Sequence, residues 1–323
     1  MGRVVLVTGL SRDIALRCAR LLADQGDALG IDKVVGVDVT PPREDLGGVK
    51  FVRADIRTPV IAKVIAVEDV DTVVHLDLGP AHGRGAAKEL NVIGTMQLLA
   101  ACQRVSHVTT FVLGSSTAVY GTSARSPALF TESSVARGGT GSGFPKDVCE
   151  VEGYVRGFAR RRPDVRIVTL RSAQVLDAGA PLASYFANPV LPTVAGYDPR
   201  LQFLHVHDAL EVLRRAVVDE GVQGTFNVAG DGVVMLSQAV RRLGRPTVPF
   251  PPVGFGTAAR TMLRAMGSDI TPDLHRLLMH GRVVDTTALR TILGYAPAYT
   301  SAEAFSMFAA GLQPGLLSGR GAS

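Results

Sequence analysis

The chain has 323 residues, of which 46% are hydrophobic, and a formal net charge of +5. That length suits one large α/β domain, or a large domain with a smaller partner. No apolar run reaches the roughly 18 residues of a membrane span, and we expect no signal peptide. The three cysteines stand apart in apolar stretches, which favours a cytoplasmic location, and the positive charge is not interleaved with aromatics, which argues against nucleic-acid binding.

The first predicted strand, turn and helix organise the N-terminal half. Residues 3–8 form a run typical of a central parallel strand. Gly9 permits a tight turn, and apolar residues recur at helical spacing from Ile14 onward. This unit favours nucleotide binding, with a pyrophosphate at the helix N-terminus. A dinucleotide fingerprint has further glycines where this chain has Arg12 and Ala15, so the glycine pattern alone is a weak signal.

Strands and helices then alternate along the chain. Further strands are predicted at 33–38, 50–56, 72–76, 109–116 and 166–171, with helices near 59–67, 86–105 and 144–162. This alternation predicts a doubly wound parallel sheet with right-handed crossovers. Asp38 ends the second strand, where an acid accepts hydrogen bonds from a ribose diol and disfavours a 2′-phosphate. A turn acid is the alternative interpretation of Asp38.

Beyond residue 173 the predicted elements become shorter, and Pro and Gly cluster. The predicted pieces are strands at 201–206 and 224–228 and helices near 208–219, 236–243, 257–266, 272–280 and 301–312. We therefore predict a nucleotide-binding domain over residues 1–173, with return segments near 201–229. Residues 174–200 and 230–323 would form a smaller cap over the carboxyl ends of the strands, where ligands bind in open sheets.

Motifs along essentially the whole chain resemble the extended short-chain dehydrogenase/reductases, which include the NAD-dependent epimerase/dehydratases of nucleotide sugars. The similar segments are Thr8-Gly9, Asp38, Asp55-Ile56 and residues 73–76, 91–95, 115–121, 170–175, 203–209, 226–230 and 285–297. The resemblance implies an α/β fold, a doubly wound parallel Rossmann sheet with a smaller C-terminal cap. It also implies NAD as cofactor, bound by Gly9, Arg12, Asp13, Ile14, Asp38, Asp55, Ile56 and Leu76.

The resemblance carries expectations about ligands and partners as well. A nucleotide-sugar-like molecule would contact Ser116 and Gln174, the latter standing where the family usually has a sugar-contacting Asn. A homodimer is implied through the helices at 86–105 and 144–162. His205, His207 and Asp208 look like a metal cluster, but they resemble the family's strand-to-helix turn, so no metal site is expected.

The catalytic set of the resembled family is only partly present. In that family a Ser or Thr positions the sugar hydroxyl, and a Tyr removes its proton as hydride passes to NAD. A Lys four residues later lowers the pKa of the phenol from about 10. By resemblance Ser116 fills the first role, whereas Phe144 and Val148 stand at the Tyr and Lys positions, a register supported by Glu152. No tyrosine in the chain is followed four residues later by a lysine.

We therefore expect an NAD-binding, nucleotide-sugar epimerase/dehydratase-like protein with a degraded catalytic set. Two alternatives stay open: an enzyme that uses a non-standard acid or base, and a non-catalytic cofactor-binding scaffold or sensor. An open sugar pocket would favour the enzyme, and a cap collapsed over the strand ends would favour the scaffold. Arg12 also has two interpretations, because its guanidinium could grip the pyrophosphate or obstruct the loop.

Overall fold

Parallel strands form the centre of the computed structural model, which describes residues 2–79, 84–136, 138, 143–176 and 180–312. The strands of these residues are β1 (Arg3–Thr8), β2 (Ile31–Asp38), β3 (Lys50–Arg53), β4 (Thr72–His75), β5 (Thr110–Ser116), β6 (Arg166–Ser172), β7 (Leu191–Val194), β8 (Arg200–Leu201), β9 (Gly224–Val228), β10 (Val234–Met235) and β11 (Thr247–Phe250). Seven of them form one parallel sheet in the order β3-β2-β1-β4-β5-β6-β9. The order changes direction between β1 and β4, and open α/β sheets bind ligands at such a switch point.

Helices surround the sheet. They are α1 (Asp13–Asp24), α2 (Gly26–Leu29), α3 (Val60–Val67), α4 (Arg84–Lys88), α5 (Thr95–Arg104), α6 (Phe144–Arg161), α7 (Pro181–Ala187), α8 (Val206–Val218), α9 (Leu236–Leu243), α10 (Phe255–Ala265), α11 (Pro272–His280), α12 (Thr287–Thr291) and α13 (Ser301–Ala310). A π-helical segment, Glu89–Gly94, joins α4 to α5, and a 3₁₀ turn, Thr117–Tyr120, follows β5. Among the described residues, no helix combines the length and apolar character needed to cross a membrane.

Both faces of the sheet are covered because side chains alternate along each strand. In β1, Val5 and Val7 contribute to the core under α1 and α8. Leu6 points to the opposite core, which lies under α3, α5 and most of α6. This arrangement, helices on both faces of a parallel sheet, confirms the predicted fold class.

The segments after β6 include a smaller region with its own apolar core, built from α7, α9, α10, α11 and α13. Phe305 packs edge-on against Phe186 and tilted against Phe203, with ring centroids 5.2 and 5.3 Å apart. Such aromatic pairs add to the stabilisation that burial alone provides. This region is the C-terminal cap, and residues 177–179 and 313–323 of its predicted extent lie outside the described residues. The boundary at residue 173 stays a prediction.

The second half differs in detail from the sequence prediction. The strand predicted at 201–206 is wrong beyond Leu201, because α8 begins at Val206 and the ring of His205 caps it by accepting the amide of His207 at 3.2 Å. The Pro/Gly-rich stretches, which had no predicted strand, contain β7 and β11, which pair with each other in parallel. The prolines in these strands obscure the sequence pattern of a strand. Both strands of a two-stranded sheet are edge strands, and edge strands tolerate proline.

Candidate functional site

A cavity of about 1010 Å³ opens between the carboxyl ends of the strands and the cap. Its lining comes from the β1–α1 turn, the loop after β4, the end of β5 and the first turns of α6, and from α10 and α11 on the cap side. Pockets for drug-sized molecules measure roughly 300–1,000 Å³. The cavity therefore has room for a large ligand.

The turn after β1 requires its glycine. Gly9 has a φ of +79°, and a Cβ there would lie 2.8 Å from the backbone of Asp77. The amide of Arg12 closes the turn on the Gly9 carbonyl at 2.9 Å, and α1 starts at the next residue without a side-chain cap. The first amides of α1 thus stay available for an anion, and Asp13 and Ile14 line the cavity beside them.

Arg12 has a partner within the protein. Its Nε lies 3.2 Å from Oδ1 of Asp77, and its guanidinium packs so closely on Gly79 that a Cβ at that position would collide with it. Burial raises the pKa of Asp77 to about 6, although Arg12 beside it acts in the opposite direction. Arg12 therefore lies across the crevice between the ends of β1 and β4.

The other predicted cofactor residues fall into two groups. Leu76 lines the cavity, whereas Asp38, Asp55 and Ile56 lie outside its lining. Asp38 accepts the amide of Ser11 at 2.8 Å and that of Thr40 at 3.2 Å, which ties the end of β2 to the glycine turn.

Asp55 and Ile56 both contact neighbouring parts of the protein. The guanidinium of Arg57 holds Asp55 through two bonds of 2.7 and 2.9 Å, which lowers the pKa of this carboxyl. Ile56 is buried, and a Cβ at Gly94 would lie 2.8 Å from its Cδ1. Their roles toward a cofactor remain predictions.

The residues of the predicted catalytic set lie in two different places, the cavity wall and the core. Ser116 lines the cavity, and its hydroxyl accepts the amide of Ala118 at 3.1 Å, which caps the 3₁₀ turn. Phe144 and Gln174 also line the cavity. Val148 is 0% exposed and belongs to the apolar core under the site. Val148, which the sequence predicts at the Lys position of the resembled family, is thus a core side chain.

Sequence reasoning missed an acid in the cavity wall, Asp147. Its side chain is buried, its Oδ2 accepts a hydrogen bond from Nδ2 of Asn91 at 3.1 Å, and burial raises its pKa. Asn91 is itself fixed, because it donates to the carbonyl of Gly79 at 3.0 Å and accepts its amide at 3.1 Å. The available signal was the spacing, since an acid three residues after Phe144 lies on the same helix face.

Two cap arginines were also missed. Arg260 and Arg264 line the cavity from α10, and both pair with Asp269, at 3.5 and 3.1 Å. They add positive charge to the cap side of the lining. Nothing in the sequence motifs distinguishes them from other surface arginines.

A buried polar network supports the cavity from below. Glu152 and Arg171 pair at 2.6 Å, and Ser115, the neighbour of Ser116, donates to Glu152 at 2.7 Å. Arg171 also donates to the hydroxyl of Tyr120 at 2.8 Å. The network thereby joins α6 to β5, β6 and the 3₁₀ turn.

The His205–Asp208 segment forms a structural turn. Asp208 is fully buried and accepts the hydroxyl of Tyr295 at 2.5 Å and the amide of Ala298 at 2.8 Å. Within the described ranges, no group of three or more His, Cys, Asp or Glu could hold a metal ion.

Known proteins resemble this chain in sequence and in fold. A family model described as NAD dependent epimerase/dehydratase family matches residues 5–229. Uncharacterized proteins of Mycobacterium tuberculosis and Mycobacterium bovis are 46% identical over 315 residues, which cover 94% of this chain and 82% of theirs. The UDP-glucose 4-epimerase of Thermotoga maritima, solved with UDP-glucose, superposes with a TM-score of 0.74 at 16% identity, covering 95% of this chain and 97% of that one. MoeE5, solved with UDP-glucuronic acid and NAD, gives 0.71 at 19% identity, covering 94% and 97%.

Proposed function

The chain belongs to the NAD dependent epimerase/dehydratase family, and from this premise we propose that it binds NAD and a nucleotide-sugar-like molecule side by side in the cavity. The resemblance inferred from the sequence is confirmed, and so is NAD as the cofactor of the family. The observation that carries the proposal is the continuity of the cavity from the start of α1, past Ser116, to α10 and α11. A cap collapsed on the strand ends would have closed this space, so the open cavity supports ligand binding over a pure scaffold.

The residues at the glycine turn fit a dinucleotide. Gly9 brings backbone close to β4, the uncapped start of α1 offers amides to a pyrophosphate, and Asp38 follows β2 where a ribose is bound. Asp13 is partly neutralised by Arg17, which lies 2.9 Å from it. When bound, NAD supplies a hydride acceptor.

The cap side of the cavity fits the second ligand. Arg260 and Arg264 suit a diphosphate, because one guanidinium group can donate two parallel hydrogen bonds to the oxygens of a phosphate. Ser116 and Gln174 line the same cavity as these arginines and would contact the sugar.

Ligand-induced thermal stabilisation tests the proposal. NAD at about 100 times its dissociation constant should add about 2.7 kcal/mol to the stability, which corresponds to a rise of several degrees in Tm. UDP-glucose or UDP-glucuronic acid should raise the Tm further in the presence of NAD. A folded protein that responds to none of these ligands contradicts the proposal.

Cofactor choice gives a sharper prediction. Asp38 should make NAD bind about tenfold or more tightly than NADP, because a charged hydrogen bond contributes about 1.5–3 kcal/mol and the carboxylate repels a 2′-phosphate. Asp38→Asn should narrow this ratio while keeping an oxygen for the amide of Ser11. Calorimetry with both nucleotides measures the ratio, and Asp45→Asn, at an exposed position in the following loop, is the charge-matched control. Tighter binding of NADP to the unmodified protein would refute the role of Asp38.

A second candidate function keeps hydride-transfer chemistry with a carboxylate in place of the phenol. Asp147 favours it, since it lines the cavity, is buried and is oriented by the hydrogen bond that Asn91 donates to its Oδ2. In this scheme the Asp147 carboxylate takes the proton of a sugar hydroxyl as the same carbon loses hydride. The carboxylic acid returns that proton when the hydride comes back, so protons and electrons balance.

The candidate predicts that Asp147→Asn lowers any UDP-sugar-dependent formation of NADH by about 10²–10⁴-fold. Glu150→Gln, which changes a carboxylate one turn away in the same cavity wall, should retain most of it. Absorbance at 340 nm follows the reaction, and NAD affinity of each variant shows that binding survives. Equal rates in the two variants would eliminate Asp147 as the base.

We also propose a homodimer formed through α5 and α6, as the family resemblance implies. Three exposed apolar side chains lie there: Ile93 just before α5, Met96 on α5 and Tyr154 on α6. Met96→Glu combined with Tyr154→Glu should convert the dimer to a monomer, because two buried charges face each other across the interface. Light scattering measures the mass, and Met307→Glu on α13 is the control at another exposed methionine. A monomeric wild type contradicts this proposal.

The state of the cysteines supports a cytoplasmic location. Cys18, Cys102 and Cys149 are free thiols. Burial raises the pKa of Cys18 and of Cys102 to about 12, which keeps both as inert core thiols. Reduced, unpaired cysteines are typical of cytoplasmic proteins.

A further inference from the structure

An ion pair within the protein occupies the centre of the proposed cofactor site. Arg12 ends the turn after β1, Asp77 follows β4, and these two strands are neighbours in the sheet. The pair therefore bridges the crevice at the switch point, where a dinucleotide places its pyrophosphate. Arg12 is also held by close packing on Gly79. A pyrophosphate and Asp77 are thus two anions that compete for the same guanidinium.

Asp77 depends on Arg12 for its charge. Its side chain is only 13% exposed, and within the described part of the chain Arg12 is the cation that pairs with it. Among the described residues, the charged groups that act on it are Arg12 from the turn, Asp38 from β2, and Asp55 and Arg57 after β3. His75 lies two positions before it, at the end of β4. Both nearby acids disfavour its ionisation, Arg57 is engaged by Asp55, and burial lowers the pKa of His75 to about 3, so that ring is neutral.

Loss of Arg12 would leave this carboxylate buried between two other acids. With Arg12 in place, burial already raises the pKa of Asp77 to about 6. Without that cation the charged form becomes still less favourable, and a proton from solvent is the available compensation.

We propose that Arg12 leaves Asp77 for the pyrophosphate when NAD binds, and that Asp77 takes up one proton in the same step. This inference rests on the proposed binding of NAD. It also joins the two interpretations of Arg12, because the side chain obstructs the empty crevice and grips the cofactor once it has entered. By linkage, NAD affinity should rise by up to about tenfold per pH unit as the pH falls from 8 toward 6, and should level off below pH 6.

Calorimetry of NAD binding tests the inference. Titrations at pH 7 in PIPES, MOPS and Tris at equal ionic strength give the number of protons taken up from the dependence of the heat on the buffer. The wild type should take up a large fraction of one proton. Asp77→Asn should take up almost none and should bind NAD up to about 100-fold more tightly at pH 8, because Arg12 is no longer held by a carboxylate.

Two further variants complete the test. Arg12→Gln should also take up almost no proton, because Asp77 is already protonated in the free protein, and should bind NAD more weakly. Arg20→Gln, which changes an arginine of α1 that pairs with Glu44, should keep the wild-type proton number. Tight NAD binding by the wild type without proton uptake, or an unchanged proton number in Asp77→Asn, overturns the inference and leaves the proposed function intact. A folded wild type that binds no NAD overturns both.

Discussion

Arg171→Met should lower the free energy of unfolding by about 3–5 kcal/mol, because it removes the buried cation beside Glu152 and leaves that carboxylate only its longer contact with the exposed Arg156. The side chains of Glu152 and Arg171 are only 3% and 5% exposed and pair at 2.6 Å. A methionine fills similar space, so the loss reports the missing charge more than a cavity. Urea denaturation followed by circular dichroism measures the change.

The chain offers a matched control on the same carboxylate. Arg156 pairs with Glu152 at 3.5 Å from the surface, where its own side chain is 56% exposed. Arg156→Met should therefore cost no more than about 1 kcal/mol, as exposed ion pairs do. Changing Glu152 to Leu together with Arg171→Met should recover part of the loss, since no unpaired charge stays buried. Equal costs for Arg171→Met and Arg156→Met would contradict the importance of the buried pair.

This ion pair also explains how the cavity keeps its shape. Glu152 lies on α6, two turns after Phe144, and Arg171 lies on β6, next to the strand that carries Ser116. The pair thus fixes the middle of α6 against the ends of β5 and β6. Glu152, which in the sequence only supported the register of Phe144 and Val148, is therefore a main support of the site.

The parts of the molecule that sequence reasoning predicted depend on local patterns. The buried run before Gly9, the acid at Asp38 and the alternation of strands and helices each follow from short-range periodicity and turn chemistry. Together they predicted the parallel sheet and its crossovers. The short cap strands were missed because Pro192 and Pro249 interrupt them and their pairing partners are far apart in the chain.

What sequence reasoning missed at Arg12 and Val148, both of which it had predicted as site positions, depends on long-range contacts. Arg12 and Asp77 are 65 positions apart, and only the adjacency of β1 and β4 brings them together. The burial of Val148 is set by how α6 packs over β5, which no local pattern reveals. Asp147 is the exception, because its spacing from Phe144 was visible in the sequence.

The unmodified protein should interconvert UDP-glucose and UDP-galactose only very slowly. Phe144 has no ionisable proton and Val148 supplies no charge, and loss of a positioned acid or base typically costs about 10²–10⁴-fold. A coupled assay against an intact family member measures the difference. Turnover equal to that of the intact enzyme would refute the predicted loss of activity. It would direct attention to Asp147 as the base.

Restoring both residues, with Phe144→Tyr and Val148→Lys, should raise the rate above that of either single change. A lone tyrosine keeps a pKa near 10, and a lone lysine has no phenol to activate. The structure adds a difficulty, since Val148 is fully buried and an ammonium there loses its hydration. Burial disfavours the charged form of a lysine, so the cation needed beside the tyrosine forms only if its side chain reaches the cavity.

A size-matched variant separates charge from packing in that experiment. Phe144→Tyr with Val148→Met introduces a long side chain at the buried position without a charge, and it should leave the rate at the level of Phe144→Tyr alone. If the lysine variant is active and the methionine variant is not, the charge at position 148 is what the natural chain lacks. If both are folded, bind NAD and stay inactive, the pocket differs from that of the epimerases in more than this pair. That outcome would favour the cofactor-binding scaffold, because the ligand site would persist without the chemistry.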